Sequence, residues 1–133
     1  MITLSIKTSR QTEFLDITRE VEKAVSGSKV QEGLALVYCP HTTAGLTINE
    51  GADPSVQGDI LRILNQVIPF NGPYQHGEGN SAAHIKASLI GSSVSVIIEN
   101  GRMALGTWQS IFFAEFDGPR TRKVMIKVIP PAT

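Results

Sequence analysis

The chain has 133 residues, with 12 basic against 12 acidic side chains, 41% apolar and 18% charged residues. One domain of that length buries a single core without staples, and the even charge balance excludes the broad basic footprint of a nucleic-acid binder. No apolar run approaches about 18 residues, so no membrane-spanning helix is expected, and a lone Cys39 excludes an internal disulfide.

Ile2, Leu4 and Ile6 alternate with Thr3, Ser5 and Lys7, the period of a half-buried strand. This is no charged segment ahead of an apolar one, so no secretory leader is read and a cytoplasmic location is expected. A second strand is predicted over Glu13 to Ile17, and the short Ser9-Arg10-Gln11 link predicts a hairpin between the two. Thr18 reads as the N-cap of a helix with Glu20 in its first turn, and Gly27 as its end. Leu34 to Cys39 is a continuous apolar run between Gly33 and Pro40, the pattern of a buried strand, and Leu46 to Asn49 reads as its partner. Asp53-Pro54 starts a helix, with Asp as N-cap and Pro in the first turn. Val56, Ile60, Leu64 and Val67 give it one apolar face, and Gly58 within it suggests a close neighbour.

Pro69 ends that helix, and Asn71 to Asn80 (NGPYQHGEGN) is a polar, glycine-rich loop. Asn80 or Ser81 caps a third helix over Ala82 to Ile90, closed by Gly91. Val94 to Ile98 reads as a strand, Asn100-Gly101 as a two-residue hairpin turn, and Met103 to Leu105 as the return, continued by Thr107 to Phe116. After a turn at Asp117-Gly118-Pro119-Arg120, Val124, Ile126 and Val128 alternate in the last strand. About eight strands and three helices, joined mostly by hairpins, predict an antiparallel α+β domain, a two-layer β-sandwich. Arg120, Arg122 and Lys123 form the one basic cluster, read as a solvated turn. The low charge points to surface hidden in an oligomer.

All three histidines, His41, His76 and His84, lie in polar segments. Neutral imidazole is the commonest ligand for zinc-like metals, and three of them leave a fourth position open for water or substrate. His41 follows the buried strand and precedes Thr42 and Thr43; Asn49, Glu50 and Asp53 come after the next strand. If the two strands pair, Glu50 comes within reach of His41, as a general base toward a metal-bound water or as the group that orients a ligating imidazole. Capping alone explains Asp53. His84 falls in the first turn of its helix, where the dipole disfavours imidazolium and keeps the ring neutral. Backbone amides around Gly77 to Ser81 open that helix toward an anion, with Lys86 on it as added charge. Cys39 reads as a small buried hydrophobe or, on the same face as His41, a further ligand. Gly106-Thr107 interrupts a strand pattern, and Trp108 and Gln109 beyond it line a substrate or pack in a core or interface.

The string HTTAGLTINE with Asp53, then His76, AAHIKASLIGSS, NGRMALGTWQ and EFDGPR, closely resembles the YjbQ family, small proteins sometimes called secondary thiamine-phosphate synthases. The likeness covers essentially the whole chain. It implies an antiparallel β-sandwich with helices, assembled as a homotrimer with sites near subunit boundaries. It implies a metal, often zinc, on His41, His76 and His84, with Glu50 and Asp53 at the family's acidic positions and Trp108 and Gln109 in its Gly-Thr-Trp-Gln segment. The implied activity joins a pyrimidine diphosphate to a thiazole phosphate and releases pyrophosphate. Such chemistry ordinarily uses magnesium with several carboxylates, whereas three histidines suit zinc.

The expectation is a metal-dependent enzyme acting on a small phosphorylated metabolite, without nucleic acid or membrane as partner. Glu50, Asp53 and Lys86 are its catalytic candidates. Thr42, Thr43, Asn49, Asn80, Thr107, Trp108 and Gln109 are its substrate contacts. A module that binds such a metabolite without turnover, and a trimeric scaffold whose polar segments serve packing, are the alternatives.

Overall fold

A computed structural model describes residues 1–132 of the chain. Its elements in order are β1 (Ile2–Lys7), β2 (Glu13–Asp16), α1 (Thr18–Ser28), β3 (Gly33–Tyr38), β4 (Ala44–Glu50), α2 (Pro54–Val67), α3 (Ser81–Ile90), β5 (Ser93–Glu99), β6 (Arg102–Met103), β7 (Gln109–Glu115) and β8 (Thr121–Ile129). The strands form two antiparallel sheets, β1-β8-β3-β5-β6 and β2-β7-β4. Their facing sides enclose the main core, in which Ala35, Val37, Val96, Val124 and Ile126 of the larger sheet meet Leu46, Ile111 and Phe113 of the smaller. Helix α1 joins that core through Val21, Ala24 and Val25, spaced three and four apart on one helical face.

Strand β7 has core on both sides. Ile111 and Phe113 face the larger sheet, whereas Ala114 and Phe116 face Ala83 and Ala87 of α3. A strand covered on both faces reads as an unbroken apolar run rather than an alternation, which explains IFFAEF. Helices α2 and α3 therefore form a third layer behind the small sheet.

The β-sandwich is as expected, but its connections are not. β1 and β2 do not pair; β1 runs beside β8 and β2 beside β7, so Ser9 to Gln11 crosses between sheets. β3 and β4 also lie in different sheets, and β4 pairs with β7. β6 does not continue into β7, because the chain crosses between sheets over Ala104 to Trp108. Among the described residues the one hairpin is β5–β6, where Asn100 (φ 53°) and Gly101 (φ 76°) both adopt the positive φ that this turn requires. Alternation reports which face a residue occupies but not which strand lies alongside, so links between sheets passed for hairpins.

Smaller corrections concern helix ends. α1 is capped by Ile17 without a side-chain bond. The Asp16 carboxylate accepts from the Thr18 N–H and hydroxyl, and Thr18 Oγ1 accepts from the Ile111 N–H. The helix runs past Gly27 to Ser28 and stops at left-handed Lys29. α2 begins as predicted, with Asp53 accepting from the Ser55 N–H. Gly58, however, faces open space rather than a close neighbour within the chain.

The basic cluster is the largest correction. Arg122 is 3% exposed and Glu115 is 0% exposed. Arg122 falls in phase with the inward-facing Val124 and Ile126 of β8, and Glu115 in phase with Ile111 and Phe113 of β7. They form an ion pair that ties the two sheets together at one end of the core. Nε of Arg122 donates to Oε1 of Glu115 at 2.9 Å, and Nη2 donates to Oε2. The Thr8 hydroxyl and the Asp117 N–H also donate to this carboxylate. Gly118 lets the following turn lie close: a Cβ there would collide with the Arg10 carbonyl and press on Thr8 Oγ1.

Burial pushes the Glu115 carboxyl up, but the bonds from Arg122, Asp117 and Thr8 outweigh it and hold it below the usual range. A lowered folded-state value gives stability present above the unfolded value near 4.3 and lost as pH falls through the folded one. Glu115→Gln should therefore cost about 3–5 kcal/mol at neutral pH, because it strands the guanidinium. It should also flatten the acid limb of stability, which urea unfolding between pH 7 and pH 3 reads directly.

Candidate functional site

The three histidines share one cleft. Pro40, His41, Thr42, Thr43, His76, Glu78, Asn80, His84, Asp117, Arg120 and Arg122 line a polar hollow of about 450 Å³ above the buried ion pair. Three segments build it: the β3–β4 link, the loop ahead of α3 with the first turn of that helix, and the β7–β8 turn.

His41 is placed by the departure of β3 from β8. The register sets Tyr38 opposite Met125, so continuing it would put Pro40 opposite Lys123. The chain turns away there, and Nε2 of His41 accepts the Lys123 N–H at 2.8 Å in place of a backbone carbonyl. Burial, then the charge of Arg122, keeps the imidazole pKa below its usual value. A neutral ring that accepts at Nε2 carries its proton on Nδ1. His41 thus offers a donor, not a free lone pair.

His76 and His84 stand as an edge-on pair with ring centroids 5.3 Å apart. Neither imidazole has a hydrogen-bond partner among the described residues. Two imidazoles on one tetrahedral zinc, with Zn–N about 2.0–2.1 Å, bring their centroids to roughly 5 Å. This pair therefore fits a shared ion. His41 does not fit as a third ligand while it holds the Lys123 N–H. Among the described residues, no three His, Cys, Asp or Glu side chains stand at ligand spacing.

Thr42 is exposed on the rim. Thr43 is buried, and its hydroxyl accepts from Nη2 of Arg122 at 2.8 Å. Asn80 caps α3 by position but makes no side-chain cap bond; its Nδ2 donates to Asp117 at 2.9 Å. Its Oδ1 is the one buried side-chain acceptor without a donor among the described residues. Arg120 pairs with Asp117 through Nη2 at 3.1 Å. Cys39 is buried within the main core, and burial raises its thiol pKa; it does not line the cleft.

The remaining candidates lie elsewhere. β4 starts beside His41 and ends at Glu50, and its 7 residues of extended strand span about 20 Å. Glu50 stands opposite Gln109, and its carboxylate accepts the Ala52 N–H. Asn49 accepts the Glu50 N–H, and Asp53 caps α2. Gln109 accepts the Gly106 N–H and braces the turn between sheets, with Thr107 and a 64% exposed Trp108 inside that turn. Glu50, Asp53, Asn49, Thr107, Trp108 and Gln109 thus form a second polar end, remote from His41 within one chain. The expected approach of Glu50 to His41 fails because β3 and β4 are not paired.

Lys86 points away from the cleft. It is 1% exposed, and its Nζ donates to Asn65 of α2 at 2.6 Å. Burial without a carboxylate partner lowers its pKa. Sequence reasoning missed Arg122, Glu115 and Asp117. Two signals marked the first two: a carboxylate inside the doubly covered run IFFAEF, and an arginine in phase with buried Val124 and Ile126.

The chain matches the family model described as UPF0047 protein YjbQ-like over residues 2–131. It is 56% identical to YugU of Bacillus subtilis, an alignment covering 96% of this chain and 97% of that protein. A UPF0047 protein of Methanocaldococcus jannaschii is also 56% identical, over 93% of this chain and 90% of its own length. The crystal structure of an uncharacterized YjbQ/UPF0047 protein from Clostridium acetobutylicum superposes with TM-score 0.96 at 61% identity. That match covers 97% of this chain and 100% of the other.

The lowered pKa of Lys86 sets the sign of a test. The unfolded lysine, near 10.4, holds its proton where the folded one has lost it, so stability rises with pH across that window. Lys86→Met should remove up to about 1.4 kcal/mol per pH unit of that rise. Urea titrations of both proteins between pH 7 and pH 10 read the difference; parallel curves would count against the buried ammonium.

Proposed function

The chain belongs to the UPF0047 YjbQ-like family, and from that footing we propose a metal-assisted enzyme acting on a small phosphorylated metabolite in the His41–His76–His84 cleft. One observation carries the reading: three histidines distant in sequence line a single hollow. Its size suits a metabolite rather than a polymer. Arg120 and Arg122 on its wall supply the charge type that phosphate recognition uses.

His76 and His84 would hold the ion. Imidazole donors favour zinc over magnesium, which prefers oxygen ligands. The ion would supply electrophilic stabilisation of a phosphate or diphosphate oxygen. His41 lends a hydrogen-bond donor, and Thr42 a hydroxyl at the mouth. The activity to test first is the coupling of a pyrimidine diphosphate with a thiazole phosphate.

A second reading has its own support. Two carboxylates at the cleft are engaged: Glu115 by Arg122, and Asp117 by Asn80 and Arg120. Glu50 is remote, and of the carboxylates lining the cleft only Glu78 stands without a partner among the described residues; so sparse a set of bases suits a module that holds the metabolite without turning it over.

We propose further that the protein works in the cytoplasm as a homotrimer, with its sites near subunit boundaries. Helix α2 buries none of its residues within the chain. Ile63, Val67, Ile85 and Leu89 of α2 and α3 are 49%, 72%, 40% and 67% exposed, and an apolar patch of this kind marks an association surface. Among the described residues, no helix is long and apolar enough to cross a membrane.

Two experiments follow. Protein purified without chelator should carry near-stoichiometric zinc that His76→Ala or His84→Ala removes; less than about a tenth of an equivalent, with no tight rebinding, defeats the ligand assignment. The same protein, given both substrates, should release pyrophosphate; binding without release favours the second reading. Separately, Leu89→Lys should shift the mass seen by light scattering from trimer to monomer.

A further inference from the structure

Arg122 stands out as a buried cation with a donor to spare. Its Nε and Nη2 are committed to Glu115, and Nη2 also reaches the Thr43 hydroxyl and carbonyl. Nη1 has no partner in the chain among the described residues. It is also not among the sealed-off atoms lacking a partner. The residue is 3% exposed, and it lines the histidine cleft. One edge of the guanidinium is thus fixed in the sandwich, while Nη1 is left unbonded and not fully sealed, on a residue that lines the hollow shared with His41.

A structural ion pair alone would not require this. A lysine would neutralise Glu115 as a point charge. A guanidinium clamped through one edge keeps a rigid donor whose direction its partners set. Glu115 is itself held by Thr8 and the Asp117 N–H, so the group loses no side-chain freedom when an anion arrives. That preorganisation makes a hydrogen bond from a fixed donor effective in a site shielded from water.

We propose that Arg122 is the phosphate anchor of the cleft: its Nη1 donates to an oxygen of a phosphate monoester, while Glu115 and Thr43 hold the guanidinium in that pose. This rests on the reading of the cleft as a site for a phosphorylated metabolite and names the residue that recognises the phosphate. Arg120 is the comparator. It lines the same cleft and is half-exposed, and its own carboxylate partner is Asp117.

Inorganic phosphate is the probe, followed by NMR of the full chain through the Arg122 Nε–H and the histidine side chains. Phosphate should shift both sets saturably with a common affinity. Arg122→Met alone would strand Glu115, so the working variant is Arg122→Met with Glu115→Gln, which removes both charges together. That variant should fold, as its spectrum will report, and bind phosphate about 10- to 100-fold more weakly. Arg120→Gln should weaken binding by much less. A saturable shift of the histidines without Arg122, or undiminished affinity in the double variant, overturns the anchor and leaves the metabolite cleft standing. A shift of Arg122 without any histidine overturns the cleft as the reaction site. No saturable shift of either overturns both. Should the double variant fail to fold, Thr43→Val removes one brace of the guanidinium. It should then weaken phosphate binding severalfold, and unchanged affinity counts against the anchor.

Discussion

The end of the sandwich that carries the cleft is held by one ion pair between strands of opposite sheets. Glu115 of β7 and Arg122 of β8 both point inward, where the apolar core gives way to polar side chains. Burying two charges is costly unless their geometry is good and their other valences are filled. Thr8, Thr43 and the Asp117 N–H fill most of them. The same bonds fix the segments around them: the end of β1, the entry to β4 and the β7–β8 turn. Those segments supply much of the cleft wall, so the pair that closes the sandwich also shapes the site.

His41 shows how one residue meets structural and chemical demands together. A strand that loses its neighbour leaves an N–H without an acceptor, and such a group in a partly buried place costs free energy. The imidazole supplies the acceptor. The consequence is chemical, because the bond fixes the tautomer and presents Nδ1–H. His41 and the His76–His84 pair are therefore not equivalent. One is committed to the backbone, and the other two keep their nitrogens free among the described residues. A pattern of three histidines in the sequence conceals that division, since residue type says nothing about which ring nitrogen is engaged.

The legible parts of the chain were those governed by local chemistry. Asp53-Pro54 opened a helix, Asn100-Gly101 made the tight turn, and the periods of β1 and β8 gave their inward faces. Strand neighbours were not legible, because pairing is decided by which apolar faces meet across the core. That is why Glu50 was expected beside His41. The strand holding it pairs with β7, and its length carries the carboxylate to the far end of the domain. Convergence of His41, His76 and His84 on one hollow was legible as a wager on polar segments; the Arg122–Glu115 pair was written in phase and went unread. A charged residue in register with buried neighbours demands a partner, and Arg122, in phase with Val124 and Ile126, was the one to meet Glu115.

Lys86 presents the opposite case. It lies on α3, two residues beyond His84 in sequence. Residues two apart on a helix do not share a face. The face that carries His84 looks into the cleft, so Lys86 turns toward α2 and ends on Asn65. An ammonium with one neutral acceptor in a buried setting is a poor stabiliser, and it sits beside the two helices whose apolar faces the chain leaves uncovered. The layer of α2 and α3 is thus the least self-sufficient part of the domain. It has a small alanine-rich core, a buried cation held by one neutral acceptor, and exposed apolar side chains at Ile63, Val67, Ile85 and Leu89. His84 and the loop bearing His76 belong to this same layer. A second copy seated on those exposed side chains, as proposed, would also steady half of the cleft, because α3 carries both Leu89 and His84.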